Sequence, residues 1–254
     1  MNKIKVLIAF VLGGVMGLAV GGFVGHAIAN NDDRINTAPG VAVVEVQEVK
    51  RPPKSDTDTT IPVEASPAET PAKIDDAAVP DETQGGTEEY AITPNNDSEL
   101  MWVGYKTVLG QKISMEGGFA NFTGALTVVN NSADESYVDI TVDISSLFSV
   151  NSILTGVLKG DEFFDVKKYP EAKFVSTKVE PSADGYTITG NFTMHGITQG
   201  IQFPATIERR GDDVYVEAEF KINRKQWDVG YDSFKDALVL EEVVVSLKVL
   251  AEAV

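Results

Sequence analysis

Between residues 171 and 207 apolar and polar side chains alternate with a period of two, and turn residues interrupt the alternation twice. In the first run Ala172, Phe174 and Ser176 share one face of an extended chain, and Val175, Thr177 and Val179 share the other. After Gly185, the residues Tyr186, Ile188, Gly190 and Phe192 repeat the period. Met194-His195-Gly196-Ile197-Thr198-Gln199-Gly200 then turns the chain back into Ile201, Phe203, Ala205 and Ile207. A period of two sustained across two reversals fits antiparallel hairpins and no helix. Just upstream stand the adjacent aromatics Phe163 and Phe164 and a Tyr169-Pro170 step. Proline fixes its own φ and biases the residue before it towards extended geometry, so this segment leaves its turn as a strand.

The same grammar extends from Leu100 to the C-terminus. Residues 101–108, 111–116 and 119–129 read as the first strands, with Gly104, Gly110, Gly117-Gly118 and Gly124 at turns or tight bends. In residues 137–144 Val138, Ile140, Val142 and Ile144 share one face. Val214, Val216, Ala218, Phe220 and Ile222 do so in residues 214–223, and residues 238–250 form the last strand. Within residues 150–158 the spacing changes: Ile153, Leu154, Val157 and Leu158 fall at helical intervals, with Ser145 or Ser146 as a cap for that segment. The expected fold is all-β, an antiparallel eight-stranded barrel with one short helix acting as a lid or plug. Eight strands enclose an interior that side chains can fill or that one small ligand can occupy, and the strand pattern leaves both open.

Two linked motifs carry a family resemblance. The wording FFDV-x-x-YP-x-A-x-F-x-ST over Phe163 to Thr177, followed by Gly190 to Thr198 as a G-x-(L/F)-T-x-x-G-(V/I)-T hairpin, closely resembles the YceI-like family of polyisoprenoid-binding, lipocalin-like barrels. Gly117-Gly118-Phe119-x-x-Phe122-x-Gly124 and the late segment Ala218–Trp227, with Ile222-Asn223-Arg224, match it too, so the resemblance covers roughly residues 101–249. It implies a bacterial, mostly periplasmic barrel whose elongated interior holds an isoprenoid chain. Many relatives carry a histidine in the second strand and a D-x-H-L-R run before the aromatic pair. This chain has neither, and that run reads Thr155-Gly156-Val157-Leu158-Lys159. Lys159 keeps a positive charge without arginine's bidentate fork, which favours a neutral or weakly polar head such as a quinone over a pyrophosphate.

The N-terminal third is organised differently. Lys3 and Lys5 precede an uncharged run over residues 6–28 that contains His26, long enough for the roughly 20 residues that cross a bilayer core. The expected reading for residues 1–29 is a transmembrane anchor in a bacterial inner membrane, single-pass, with the rest of the chain in the periplasm. Ala27-Ile28-Ala29 also fits a signal cleavage pattern, which would leave a periplasmic or secreted protein cut after Ala29. Gly13, Gly17, Gly21 and Gly25 form one stripe of such a helix, a surface for a second helix or a homodimer, although glycine is also simply frequent in membrane helices. Residues 30–99 read as an acidic, proline-rich disordered linker. Its part over residues 51–99 carries 12 acidic and 3 basic side chains and no hydrophobic period. About 65 residues of coil reach on the order of 45 Å, enough to hold a barrel at residues 100–254 clear of the membrane. Residues 40–49 (GVAVVEVQEV) form a short strand if they find a partner.

The net charge of −17 lacks the basic footprint that nucleic acid requires. With no cysteine and two histidines, of which His195 sits in a turn, no nucleophile, metal-ligand or phosphate-loop pattern is present, and no enzyme is expected. Asp161, Glu162 and Asp165 beside the aromatic pair read as caps and solvated charges. The cavity candidates are Phe119, Phe122, Ile140, Val142, Ile153, Leu154, Val157, Leu158, Phe163, Phe164, Phe174, Ile188, Phe192 and Phe203, with Lys159 as a head-group contact. No cofactor is expected other than a bound isoprenoid lipid or quinone. The competing expectation is a filled-core interaction module with no ligand, its aromatics serving only as core.

Overall fold

The structure, a computed structural model, describes residues 32–51, 86–230 and 238–254. The elements in chain order are α1 (Arg34–Thr37), β1 (Ala42–Val44), β2 (Thr87–Ile92), β3 (Glu99–Val108), β4 (Gln111–Phe119), β5 (Phe122–Val129), β6 (Ser132–Asp143), β7 (Leu147–Ser149) and α2 (Ser152–Lys159). After them come β8 (Glu171–Ser182), β9 (Gly185–Met194), β10 (Ile197–Arg210), β11 (Asp213–Asn223) and β12 (Glu242–Ala253). Three pairs are single long strands with a break. β2 and β3 both pair with β12, β4 and β5 pair back along β3 and β2, and β6 and β7 pair with β5 and β4. Counted that way, eight antiparallel strands run up and down in chain order, and β12 closes on β2 and β3. Closure leaves the barrel no free edge at the seam.

One end holds three tight hairpins, at residues 130–131, 183–184 and 211–212. The other, the helix end, holds the β3–β4 hairpin, the segment 150–170 with α2, the β9–β10 turn and the β11–β12 crossover. His195 and Gly196 make that β9–β10 turn with φ of 52° and 78°, the paired left-handed geometry of a type I′ hairpin. A Cβ on Gly196 would lie 2.7 Å from the Tyr169 ring. The aromatic motif and the glycine turn therefore meet: Tyr169 packs on His195 at 4.3 Å, and the His195 Nδ1 stands 3.1 Å from the Trp227 carbonyl. Trp227, fully buried, donates from Nε1 to the Phe192 carbonyl at 3.2 Å. These contacts make the motif a brace for the helix end.

Several expectations need correction. The barrel begins at Thr87 and not at Leu100, because Tyr90 and Ile92, 3% and 2% exposed, supply core to β2 in an otherwise polar stretch. The run 119–129 is broken at Ala120-Asn121, where β4 gives way to β5, and the last strand spans Glu242–Ala253. Val179 faces the interior, against simple alternation. The β8–β9 register slips between Ser176 and Lys178, and the buried Ser176 hydroxyl accepts from the Val138 amide at 2.8 Å. One extra residue reverses every later side chain. Asn151 caps α2, accepting from the Leu154 amide at 2.8 Å, whereas Ser145 and Ser146 belong to the preceding 3₁₀ turn.

The largest correction concerns residues 32–51, which form a strap across the outer wall. Ile35 and Ala38, 4% and 5% exposed, pack against the outward faces of Val103, Tyr105 and Val244. Arg34 pairs with Asp32 at 2.6 Å and with Glu116 on β4 at 2.8 Å. β10 pairs with β11 only from Thr206 to Arg210, so the two strands part towards the helix end. β1 pairs with β10 at Gly200–Gln202, and Gly40 bridges Lys221 of β11. Beyond it the Gln47 amide and carbonyl bond the Asn191 side chain at 3.0 and 2.7 Å, and Arg51 pairs with Asp139 while stacking over Tyr137. The short strand expected in residues 40–49 has thus found its partner. Residues 32–51 and 86–99 are not linker. The remainder of it, residues 52–85, lies outside the described residues, as do the expected membrane span 6–28 and its glycine stripe. Among the described residues no helix is long and apolar enough to cross a membrane.

Candidate functional site: the barrel interior

Alternation along eight strands directs one side chain in two to the barrel axis. These side chains leave an interior cavity of about 550 Å³, within the range of small-molecule sites. The lining is overwhelmingly apolar. From the strands, Phe119, Ile140, Val142, Phe174, Ile188, Phe192 and Phe203 contribute to it. At the helix end Leu154, Val157, Leu158, Phe163 and Phe164 complete it. Phe119 meets Phe164 edge-on at 6.3 Å, and Phe203 stacks on Phe220 at 4.4 Å.

Two aromatic or aliphatic candidates lie elsewhere. Phe122 shares the inward parity of β5 but is packed in the core at 4% exposure, outside the cavity wall. Ile153 is 67% exposed on the outer side of α2, because the cavity takes the opposite side through Leu154 and Leu158. Helical spacing placed these residues on a common apolar helix without saying which side the barrel covers. Lys159 is also absent from the wall. Asp161, Glu162 and Asp165 belong to the compact turn after α2, where the Asp165 amide donates to the Gly160 carbonyl at 2.9 Å.

Several polar groups that reach the wall were not among the expected site residues. Trp102, Gly104 and Lys106 lie on the inward face of β3. Trp102 lies over Gly117 of β4, where a Cβ would come within 2.4 Å of its ring. Its buried indole N–H has no acceptor among the described residues, and Lys106 forms no ion pair among them. Arg224 also touches the cavity, at 4% exposure, but its guanidinium donates to the carbonyls of Val229 at 2.7 Å, Leu240 at 3.1 Å and Val239 at 3.2 Å. It secures the β11–β12 crossover. Only the inward parity of β3 and the resemblance at Ile222-Asn223-Arg224 pointed to these positions.

At the hairpin end Arg209 closes the cavity. It donates to the Tyr90 hydroxyl at 2.9 Å and pairs with Glu88, whose carboxyl it holds below the usual glutamate range. Among the described residues no group of three or more His, Asp or Glu side chains could hold a metal. The arrangement offers an apolar interior with polar groups at both ends, Trp102 and Lys106 on β3 and Ser132, Ser136, Tyr186 and Arg209 towards the hairpins, and it can accommodate an apolar molecule.

The fold has solved counterparts. BcnA of Burkholderia cenocepacia is 24% identical with a TM-score of 0.55, covering 61% of this chain and 96% of its own. A polyisoprenoid binding domain from Saccharophagus degradans is 14% identical with a TM-score of 0.52, covering 65% and 99%. Both share the barrel. Among curated relatives, UPF0312 protein plu2095 of Photorhabdus laumondii is 31% identical over 122 residues, 46% of this chain and 64% of that protein. Protein YceI of Salmonella arizonae gives the same figures. The chain thus spans less than two thirds of these relatives. The YceI-like domain model matches residues 90–251, which takes in the closed barrel from within its first strand to within its last, and the chain belongs to the YceI-like family.

Proposed function

We propose that this protein binds a polyisoprenoid or another long-chain apolar lipid inside the barrel and sequesters or shuttles it. The observation that carries the reading is the cavity: an interior of about 550 Å³ walled by aliphatic and aromatic side chains, where a filled core would leave no such space. The Saccharophagus degradans domain of the same fold, described as polyisoprenoid binding, supports the ligand class. Trp102 and Lys106 are donors, so the ligand's head carries acceptor oxygens. One ammonium and one indole N–H do not neutralise a pyrophosphate, which favours a quinone-like or singly charged head. In this reading residues 6–28 anchor the protein in a bacterial inner membrane with the barrel in the periplasm. The stripe of Gly13, Gly17, Gly21 and Gly25 serves a helix partner or homodimer.

The test is native mass spectrometry with organic extraction on the full-length protein from a bacterial host, beside Ala172→Phe. Ala172 is 3% exposed and lines the cavity, so a phenyl ring there takes up ligand space. A prenyl-lipid adduct on the wild type, reduced at least about tenfold in Ala172→Phe, is the expected result. A wild-type protein that stays empty after incubation with prenyl quinones and prenyl phosphates overturns the reading.

A further inference from the structure

We propose that the helix end of the barrel is a membrane-docking face that opens the cavity directly towards a lipid bilayer. Apart from the strap, the C-terminal Val254 and Phe148, which lies midway along the wall opposite Gly118, the exposed large apolar side chains among the described residues stand at this end. Leu109 at the β3–β4 tip is 96% exposed, Ile153 67%, Val150 59%, Leu238 57% and Val157 40%. The opposite hairpins carry none. No residue of α2 is buried: Ile153, Leu154, Val157 and Leu158 form one broad apolar face, which meets the cavity through Leu154, Val157 and Leu158 and leaves Ile153 in solvent. An apolar helix face that the barrel covers only in part leaves a hydrophobic edge for another surface, and side chains raised on separate tips around the helix end suit a planar hydrocarbon boundary.

Two further observations select a bilayer as the occupant. The first is charge. The far hairpins bear Asp134, Glu135, Asp184, Asp212 and Asp213, whereas at the helix end Lys112, Lys159, Lys167, Lys168 and Lys225 balance Asp161, Glu162, Asp165, Asp228 and Glu241. An anionic surface thus repels the far end, and the nearly balanced apolar end is the one that can approach it. The second is chain length. The uncharged run ends at Ile28, four residues before Asp32, which Arg34 and Ile35 fix to the outer wall near Glu116 and Tyr105, in the half of β3 and β4 nearest the helix end. Four residues span at most about 14 Å. A membrane-embedded run would therefore hold the helix end beside the bilayer, and the strap replaces a long tether with a short one. Docking explains how an apolar ligand enters and leaves without crossing water. It rests on the lipid-binding reading for its purpose, but its test does not need a ligand.

The chain has no cysteine, so single cysteines can be labelled without further change. Full-length Leu109→Cys, Ile153→Cys, Asp184→Cys and Asp212→Cys carry an environment-sensitive fluorophore in vesicles of phosphatidylethanolamine and phosphatidylglycerol containing doxyl-labelled lipid. Labels at 109 and 153 are expected to be quenched on the order of threefold more than those at 184 and 212, as for side chains at acyl-chain depth. Equal quenching at both ends, quenching at neither, or the same change without vesicles as protein concentration rises overturns the proposal. In a second measurement, Leu109→Glu with Val150→Glu slows uptake of a prenyl quinone from vesicles at least about tenfold, the weight of two charges placed at an apolar boundary. The amount bound from detergent stays unchanged. Uptake at the wild-type rate also overturns it. An empty cavity with normal quenching would instead sink the lipid reading and leave docking standing.

Discussion

The strap can be released by adding a single methyl group. Gly200 faces outward from β10, and β1 ends opposite it before the chain crosses over. A Cβ there would lie 2.6 Å from both the Val44 and the Glu45 carbonyl oxygens, closer than packed side chains approach backbone. In Gly200→Ala the strap must lift, while β10 keeps its full ladder to β9. Lifting forfeits the short β1 ladder and strains the Gln47–Asn191 bonds. At about 1 kcal/mol net per hydrogen bond, losing two or three costs roughly 2–3 kcal/mol. That free energy corresponds to roughly 30- to 140-fold faster opening. Hydrogen–deuterium exchange by mass spectrometry reads it directly: amides in residues 41–47 should exchange faster by that factor, with those of β5, β8 and β12 unchanged. Unchanged strap exchange in a folded protein would refute the close-approach argument. Loss of protection throughout would show that the strap holds the seam closed.

Other consequences follow from individual contacts. Arg224→Leu strips one buried and two part-buried carbonyls of their donor and should destabilise the barrel by about 2–3 kcal/mol, read as a fall in the urea midpoint; Arg224→Lys should not restore it, because one ammonium lacks the planar fork. Gly156→Ala, with no heavy atom within 4 Å of the added carbon, should leave ligand capacity intact and raise stability by up to about 1 kcal/mol through helix propensity. The Asp32 carboxyl is held low by its hydrogen bond to Arg34, so its contribution to strap docking is complete above the ordinary aspartate value, about 3.9, and is lost as pH falls through the lower folded value. A carboxyl NMR titration should place its midpoint below that of a free aspartate, and Arg34→Met should return it. Burial and the same carboxylate push the Tyr105 phenol up to about 12, so an ultraviolet titration should find it among the last tyrosines to ionise.

How much was legible depended on the range of the interaction. Period-two alternation is a local property, so the inward faces of β6, β9 and β11 and the cavity positions on them followed directly from the chain. A reversal within residues 194–200 was legible too, but its two-residue form at His195-Gly196, with the strand resuming at Ile197, came from the pairing of the two strands. The extent of the strap was not legible, because Ile35 and Ala38 are isolated apolar residues whose burial depends on β3 and β12, more than sixty positions away. Val179 was misassigned because the bulge at Ser176 is fixed by cross-strand pairing with Gly190 and a hydrogen bond from Val138.

The sequence by itself determined antiparallel hairpins, a short helix and the apolar character of the inward faces, since each rests on spacing between near neighbours. Tertiary structure alone decided which side of α2 meets the cavity, leaving Ile153 in solvent, and that Trp102 and Lys106 supply the polar groups where Lys159 had been expected. It also decided that β10 and β11 part to admit β1. The physical reason is common to all three: closing a twisted sheet sets the angle and stagger of strands distant in the chain, and no local pattern encodes that stagger.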